Sequence, residues 1–324
     1  MSRFRLSLRV SLRGAALTIA MDIEDLRADL EALFNPEAED YGERPTGDIP
    51  HPRLEKEHGL DLSYLETFNW EGSSIHPHTR LCPPDEPRIR PLIHNLDVPS
   101  RLLEAGLRLF GDSILAYHEL KKRTGELRYY PPAILTFWGG FETFVRHTSE
   151  LMLITVQNVP ELVGRFLRDE ETFVDRKGDL ATRTRYQSVL DRYVVLLRYG
   201  YGYSVDRGSK HWQRLEEARM LRDYYTHLDV HDPRSISADQ VLNFMEAVLL
   251  GIIWPSAEIK RTQLLGIYRL YWMWDSLRKL ASPFVEQPFF KDWPLDGPHT
   301  IYCPFKGVDT KRFPNSDEQR QSRR

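Results

Sequence analysis

The chain is poor in cysteine and has no long apolar run, and these two features argue against a disulfide-rich protein and a membrane-spanning protein. Of its 324 residues only Cys82 and Cys303 are cysteines, and they lie far apart. Two distant cysteines do not make a disulfide framework, so the composition predicts a protein of a reducing, cytoplasmic environment. No stretch of about 18 consecutive apolar residues occurs, so the sequence predicts no membrane span.

Excess basic charge is also lacking. The chain carries 44 Lys and Arg against 47 Asp and Glu, a net charge of -3. No global positive field therefore favours nucleic acid, and any RNA contact would require a local patch of cations. The hydrophobic share of 41% and the charged share of 28% are ordinary for a globular protein with a buried core.

The first twenty residues contain arginine but no acidic side chain. Two interpretations stay open for them: a targeting segment, or a start codon assigned upstream of the true start at Met21. We favour the second and assign no function to residues 1–20. The following stretch, MDIEDLRADLEALF, has the pattern of an ordinary helix start.

Proline divides the chain into three parts. Ten of the 21 prolines lie between Pro36 and Pro99, and six more lie from Pro283 onward. We therefore expect residues 1–98 to be a mostly irregular N-terminal region, with a short strand at 62–70. Residues 283–324 are predicted to be an extension packed on the surface, followed by a disordered tail.

The middle of the chain is free to form long helices. Apolar residues recur at helical spacing over six segments: 99–122, 131–158, 184–200, 209–228, 237–254 and 255–280. Pro131 suits a helix start, Gly200 suits a helix stop, and Ser237 with Gln240 forms a capping box. No internal repeat or strand pattern is evident there. Residues 99–282 are therefore predicted to be an all-α bundle.

One predicted helix carries an arginine that requires a partner. In RMLRDYYTHLDV, residues 219–230, Arg222 falls within about 20° of Leu215 on a helical wheel. It therefore points toward packed material and has to pair with an anion or with the polar groups of a partner. Glu142, within the apolar stretch FWGGFETF, is a candidate for that anion, and a solvated position for Glu142 stays equally open. The apolar side of this helix is formed by Trp212, Leu215, Ala218 and Tyr225.

The same helix offers an acid and a titratable base. Asp223 and His227 are four residues apart, so they are neighbours on one face and the carboxylate can orient the imidazole. A fixed cation, an orienting acid and a base suit cleavage of an RNA phosphodiester without a metal or cofactor. Arg222, Asp223 and His227 are the candidate catalytic residues. One helix supplies a single His, so a homodimer would be needed to supply both base and acid.

The segment RDYYTH, Arg222 to His227, resembles the R-x(4–6)-H motif of HEPN domains, in which a polar residue often follows the arginine. The predicted helix before it and the Trp about ten residues upstream resemble the family too. The resemblance covers residues 100–280. It implies a helical bundle that dimerises and cleaves RNA without metal, leaving 2′,3′-cyclic phosphate ends, in toxin–antitoxin or defence systems. It also implies that Arg222 and His227 line the dimer cleft. We add Arg219, Tyr224 and Glu142 as candidate substrate-binding residues, and an antitoxin or a defence complex as a candidate partner.

Several alternatives weigh against this interpretation. The bare pattern also occurs at Arg53 to His58 and at Arg88 to His94, both in proline-rich segments where we expect no helix. The structural alternative for 222–227 is a buried Arg–Asp pair with a His at the helix end. The functional alternative is a catalytically inactive helical module that regulates a partner.

Two further segments contain polar residues that could bind a ligand. HPHTRLC, residues 76–82, has a spacing that a metal could use, but a polar loop is favoured because no second paired set of ligands lies nearby. Residues 198–212 contain Gly, Tyr and Arg before the motif helix. They could bind single-stranded RNA, although a flexible connector is the default.

Overall fold

Helices dominate the part of the chain that the computed structural model describes, which is residues 23–34, 50–65, 97–120, 124–226, 236–264 and 266–285. Within these ranges 73% of the residues are in α-helices, and the strands form one two-stranded sheet. All described residues belong to one compact unit, residues 1–287. The predicted all-α class is confirmed.

The described ranges contain nine α-helices, two strands and a short 3₁₀ turn at Ser63–Leu65. The helices are α1 (Ile23–Phe34), α2 (Pro52–Lys56), α3 (Val98–Leu120), α4 (Thr124–Thr155), α5 (Glu161–Leu167), α6 (Val189–Tyr201), α7 (Lys210–Thr226), α8 (Ala238–Glu258) and α9 (Ile267–Val285). The strands are β1 (Glu170–Val174) and β2 (Leu180–Thr184).

The closest packing in the bundle is between α3 and α4. Gly106 and Gly140 lie where the helices cross. A Cβ atom on Gly106 would lie 2.7 Å from the Cβ of Phe137, and one on Gly140 would lie 2.8 Å from the Cγ of Leu103. Both distances are shorter than any real contact, so the two helices approach as closely as they do only because glycine occupies both positions.

Helix α8 forms the centre of the core. It packs against α7, α9 and α4, and nearly all of its side chains are buried. Its length and apolar composition would allow it to cross a membrane, in contrast to the prediction that no such segment exists. However, 83% of its most apolar window is buried inside the fold, which is the environment of a core helix. The predicted capping box is confirmed, with Ser237 and Gln240 exchanging both hydrogen bonds.

The described parts of the N-terminal region pack against the bundle. The helix predicted in the stretch MDIEDLRADLEALF is confirmed by α1, which begins at Ile23, contacts α3 and α9 and buries Leu26 and Leu30. The short strand expected at 62–70 is wrong for its described part, because residues Ser63–Leu65 form a 3₁₀ turn. Tyr64 and Leu65 on this turn are buried.

The β1–β2 hairpin contradicts the expectation that the middle of the chain has no strands. It was missed because neither face of the hairpin is buried, so no alternation of apolar and polar residues marks it. Its turn is stabilised locally: the Oδ1 of Asp175 accepts hydrogen bonds from the backbone N–H groups of Lys177 and Asp179. Gly178 has φ +88, a conformation that glycine adopts without strain.

Several predicted helix boundaries are wrong, and each has a local cause. The helix predicted over 255–280 is two helices: Pro255 lies in the last turns of α8, and α9 starts after left-handed residues at Lys260 and Gly266. Helix α4 starts before Pro131 and contains it. Helix α6 ends at left-handed Gly202 instead of Gly200.

Some predictions concern residues outside the described ranges. These are the N-terminal segment 1–20, the HPHTRLC segment, the Arg88–His94 match, the two cysteines and the C-terminal extension with its tail.

Gly139 and Gly140 provide a matched test of the α3–α4 contact. We expect Gly140→Ala to lower the free energy of unfolding by about 1–3 kcal/mol, because its methyl group would overlap Leu103. Gly139→Ala meets no atom within 4 Å and should raise the free energy of unfolding by up to about 1 kcal/mol through helix propensity. Urea denaturation of both variants measures the difference. Equal effects of the two substitutions would contradict the close helix approach.

Candidate functional site

An open cleft of about 640 Å³ lies between α4, α7 and the connection from β2 to α6. Four arginines and three carboxylates line it together with apolar and neutral residues. The charged residues are Arg146, Arg192, Arg219, Arg222, Glu142, Asp169 and Asp223. The cleft thus carries a small excess of positive charge in a chain that is slightly acidic as a whole.

Arg222 bridges the two main walls of the cleft. Its Nη2 donates a hydrogen bond of 2.7 Å to the Oε1 of Glu142 on α4, and its Nη1 donates one of 2.9 Å to the Oδ1 of Asp223. The indole N–H of Trp138 donates to the same Oε1 of Glu142, at 2.9 Å. The predicted requirement for an anion is therefore met, and the pairing of Arg222 with Glu142 is confirmed.

The guanidinium of Arg222 is held in place but is not sealed off. Its side chain is 26% exposed, and Glu142 and Asp223 are 36% and 35% exposed. A guanidinium has five N–H donors, and the contacts within the described residues use two of them. Arg222 can therefore keep both ion pairs while it donates to a ligand in the cleft.

Asp223 binds two arginines. While its Oδ1 accepts from Arg222, its Oδ2 accepts a hydrogen bond of 3.0 Å from the Nη1 of Arg219. Arg219 lines the cleft as well. Asp223 therefore fixes the side chains of two cations, one turn apart on α7, that face the same space.

Two other predicted site residues are not brought into this arrangement. Tyr224 stacks edge to face on Tyr225, with ring centroids 5.0 Å apart, and is not among the described residues that line the cleft. His227 lies directly after α7 and outside the described residues. Its predicted contact with Asp223 therefore stays a prediction.

The opposite wall of the cleft depends on Asp169, which precedes β1. Asp169 adopts a left-handed φ of +57, which aspartate tolerates better than most residues. Its Oδ1 accepts from the backbone N–H of Gln187 at 2.8 Å, and its Oδ2 accepts from the Nη1 of Arg192 at 3.0 Å. Its carbonyl oxygen accepts from the backbone N–H of Arg185 at 2.7 Å. Asp169 thus fixes the connection between β2 and α6.

Sequence reasoning missed several residues that line the cleft. Arg146 lies one helical turn after Glu142, and Trp138 one turn before it, so a helical wheel through Glu142 would have identified both. Asp169, Tyr186 and Arg192 had no such signal. They reach the cleft only because the unpredicted hairpin brings the ends of its strands together.

A second Arg–His constellation lies elsewhere in the fold. We expected no helix to present Arg53, but α2 starts at Pro52, with the Nδ1 of His51 accepting the backbone N–H of Arg53. Arg53 Nη2 and His58 Nε2 each lie 3.4 Å from the Oε1 of Glu246 on α8. The motif match that we set aside therefore does bring an arginine and a histidine to one carboxylate.

This second constellation is a buried ionic cluster. Glu246 is 4% exposed, and it also accepts a hydrogen bond of 2.7 Å from Arg214 and one of 3.2 Å from the hydroxyl of Tyr271. Burial raises the pKa of Glu246, but hydrogen bonds from His58 and Arg214 and the charges of Arg214 and Arg53 outweigh it and lower the pKa to about 2. A carboxylate so fully used by its neighbours stabilises the packing of residues 50–65 on α8 and leaves no room for a substrate.

Nearby groups extend the cluster toward α9 and α7. Asp275 is 2% exposed and contacts His51, Arg53, Arg278 and Lys279. The ring of His211 stacks on Trp254 at 3.7 Å, and burial together with the charges of His58 and Arg214 lowers the pKa of His211 to about 4. None of these groups lines the cleft at Arg222.

Glu246 and Glu57 allow a matched test of the buried cluster, because both pair with Arg53 but Glu57 is 55% exposed. At pH 7 we expect Glu246→Gln to lower the free energy of unfolding by about 2–5 kcal/mol, since it leaves buried cations without their counter-charge. Glu57→Gln should cost about 1 kcal/mol or less. Urea denaturation measures both, and equal costs would contradict the buried role of Glu246.

The lowered pKa of Glu246 also predicts how the stability difference between the wild-type protein and Glu246→Gln changes with pH. The folded pKa of Glu246, about 2, lies below its ordinary value of 4.5. The stabilisation by this carboxylate is therefore present above pH 4.5 and is lost as pH falls toward 2. The difference in stability between the wild-type protein and Glu246→Gln should shrink from pH 5 to pH 3. A difference that grows on acidification would contradict the lowered pKa.

Within the described residues, no group of three or more His, Cys, Asp or Glu side chains is arranged to hold a metal ion. Comparison with known proteins adds no assignment: no family model, no curated protein and no solved structure matches this chain. What the cleft can do is therefore argued from the side chains that line it.

Proposed function

We propose that the protein is a metal-independent endoribonuclease of the HEPN type that acts as a homodimer, with Arg222 and His227 at its reaction centre. One observation carries the proposal: a guanidinium fixed by two carboxylates, Glu142 and Asp223, faces an open cleft that contains three further arginines. A fixed, partly exposed cation in a cleft of this charge is what a phosphodiester in its transition state requires.

The proposed chemistry assigns a role to each group. His227 acts as the base that takes the proton of the ribose 2′-OH, or as the acid that protonates the leaving 5′-oxygen, with the second copy of the chain supplying the other role. Arg222 stabilises the negative charge that develops on the phosphoryl oxygens. The attack of the 2′-oxygen on phosphorus breaks the bond to the 5′-oxygen, so the products are a 2′,3′-cyclic phosphate and a free 5′-OH.

Asp223 has a positioning role in this proposal. Its two carboxylate oxygens already accept hydrogen bonds from Arg222 and Arg219. It therefore prevents the side chains of both arginines from turning away from the cleft. The orientation of His227 by Asp223 remains part of the proposal.

RNA cleavage tests the reaction. With total RNA in the presence of EDTA, we expect the wild-type protein to cut, and His227→Ala to lower the rate by about 100- to 10,000-fold because it removes the proton-transfer group. Arg222→Lys should lower it by about 100-fold or more, since a lysine cannot reproduce the forked donor geometry. The ends of the products, read by sensitivity to phosphatase before and after acid treatment, should be cyclic phosphates.

Thr226→Ala is the matched control for this experiment. Thr226 is exposed and precedes His227, and its hydroxyl donates to the carbonyl of Arg222 in its own helix. This variant should cut at the wild-type rate. If wild type and His227→Ala cut equally, the activity belongs to a contaminant or to another site, and the proposal fails.

A second candidate function is a catalytically inactive HEPN-like module that binds and regulates a partner protein. It is favoured by the pairing of Arg222 with two carboxylates, because an arginine so compensated can hold α4 and α7 together without any ligand. The two functions differ in what Arg222 contributes to stability.

The stability of Arg222→Ala separates the two candidates. The ion pair with Glu142 is partly exposed, so we expect its loss to cost about 1 kcal/mol or less in free energy of unfolding. A double-mutant cycle with Glu142→Gln, measured by urea denaturation, gives the coupling energy of the pair. A coupling of about 3 kcal/mol or more would indicate a structural clasp and favour the inactive module.

A further inference from the structure

The arginines of the cleft are unequally paired. Arg222 binds Glu142 and Asp223, Arg219 binds Asp223, and Arg192 binds Asp169. Arg146 is different, because in the part of the chain that the structure describes it has no hydrogen bond or ion pair. It lies on α4 one turn beyond Glu142, and it is exposed while lining the cleft. The excess positive charge of the cleft therefore resides on Arg146.

An exposed aromatic side chain lies on the opposite wall. Tyr186 lines the same cleft and is 88% exposed. Its backbone position is nevertheless fixed, because the N–H groups of both of its neighbours, Arg185 and Gln187, donate to Asp169. Because the backbone is already ordered, only the side chain has to be ordered when a flat apolar group stacks on the ring, and a nucleobase is such a group.

The space between these two residues is open. The cleft volume of about 640 Å³ is within the usual range for small-ligand sites. On its α4 wall, a Cβ atom added to Gly139 would meet no atom within 4 Å. A ligand can therefore contact the backbone of α4 at Gly139, which lines the cleft together with Arg222 and Arg146.

We propose that this cleft holds a single strand of RNA, with Arg146 on a phosphate next to the scissile one and Tyr186 stacked on a base. This inference rests on the proposed function, since it names a substrate subsite of the same cleft. Arg146, without an anionic partner among the described residues, suits a phosphate, and the exposed ring of Tyr186 suits a base. A strand in a duplex is disfavoured, because its bases are stacked inside the helix and cannot reach Tyr186.

Binding of a labelled oligoribonucleotide tests the subsite. Fluorescence anisotropy is measured across a salt series with EDTA, on the full chain carrying His227→Ala so that the strand stays uncut. Arg146→Gln should lower the affinity about fivefold near 0.1 M salt and reduce the slope of log affinity against log salt by about 0.7, the effect of one lost phosphate contact. Tyr186→Ala should lower the affinity about five- to a hundredfold and leave that slope unchanged, because the ring is uncharged. Tyr186→Phe should bind like the parent.

Arg176→Gln is the matched charge control. Arg176 lies in the exposed turn of the hairpin, away from the residues that line the cleft. This variant should leave both affinity and slope unchanged. If it weakens binding as much as Arg146→Gln, the effect is one of overall charge and the subsite is refuted. Displacement of the strand by an equal concentration of AMP would also refute it, since the site would then take a mononucleotide.

Cleavage assays separate this inference from the proposed function. If the wild-type chain cuts no RNA but the binding pattern above is found, the subsite stands and the ribonuclease proposal fails. If the chain with His227 intact cuts RNA, and Arg146→Gln and Tyr186→Ala cut it with unchanged KM, the ribonuclease stands and the subsite fails.

Discussion

The contact between Arg222 and Glu142 determines what the cleft can be. It joins two helices through residues 80 positions apart, and it explains why an arginine is tolerated on a side of α7 that is otherwise apolar. Without the carboxylate, the guanidinium would lose one of the two anions that hold it where the helices pack, at a modest cost in free energy because the pair is partly exposed. The indole of Trp138, which donates to the same oxygen, fixes Glu142 in turn. A chain of three side chains therefore sets the position of the cation before any ligand arrives, which is the preorganisation that electrostatic catalysis depends on.

Pairing and function are compatible here because the pair is only partly buried. At Glu246 the carboxylate is 5% exposed, and its oxygens are taken up by Arg53, His58 and Arg214. Glu142 is 36% exposed, and Arg222 keeps a quarter of its side chain exposed and most of its donors unused within the described residues. Most of the cost of desolvating Arg222 is already incurred when the chain folds. A phosphate that enters the cleft can therefore add its contacts to the existing ones. Arg146, which has no ion pair among the described residues, then leaves the cleft with positive charge to attract an anion, and the paired arginines give it a defined geometry.

The sequence predicts those elements in which apolar residues repeat at helical spacing. The long amphipathic segments identified the bundle, and the wheel through Leu215 indicated both the buried side of α7 and the need for an anion opposite Arg222. The hairpin could not be found in this way, because its strands are exposed on both faces and its turn is stabilised by backbone contacts to Asp175. The same failure affects the cleft, because Asp169, Tyr186 and Arg192 meet there only through the hairpin. Pattern reasoning therefore could not predict these residues of the wall opposite α4 and α7.

The two Arg–His matches described above show why a short motif is a weak guide until burial is known. Both Arg53 and Arg222 lie on helices and both bind carboxylates from another helix. Arg53 and His58 converge on a carboxylate that is 4% exposed, in a cluster where every charge is met by a neighbour. The carboxylates of such a cluster stabilise the fold only while they are ionised. Because every charge is already met, the cluster contributes to stability and not to chemistry. Arg222 has the same partners in kind but faces open space. The pattern of residue types is shared, and access by a ribose-phosphate is what distinguishes a candidate reaction centre from a structural ion pair.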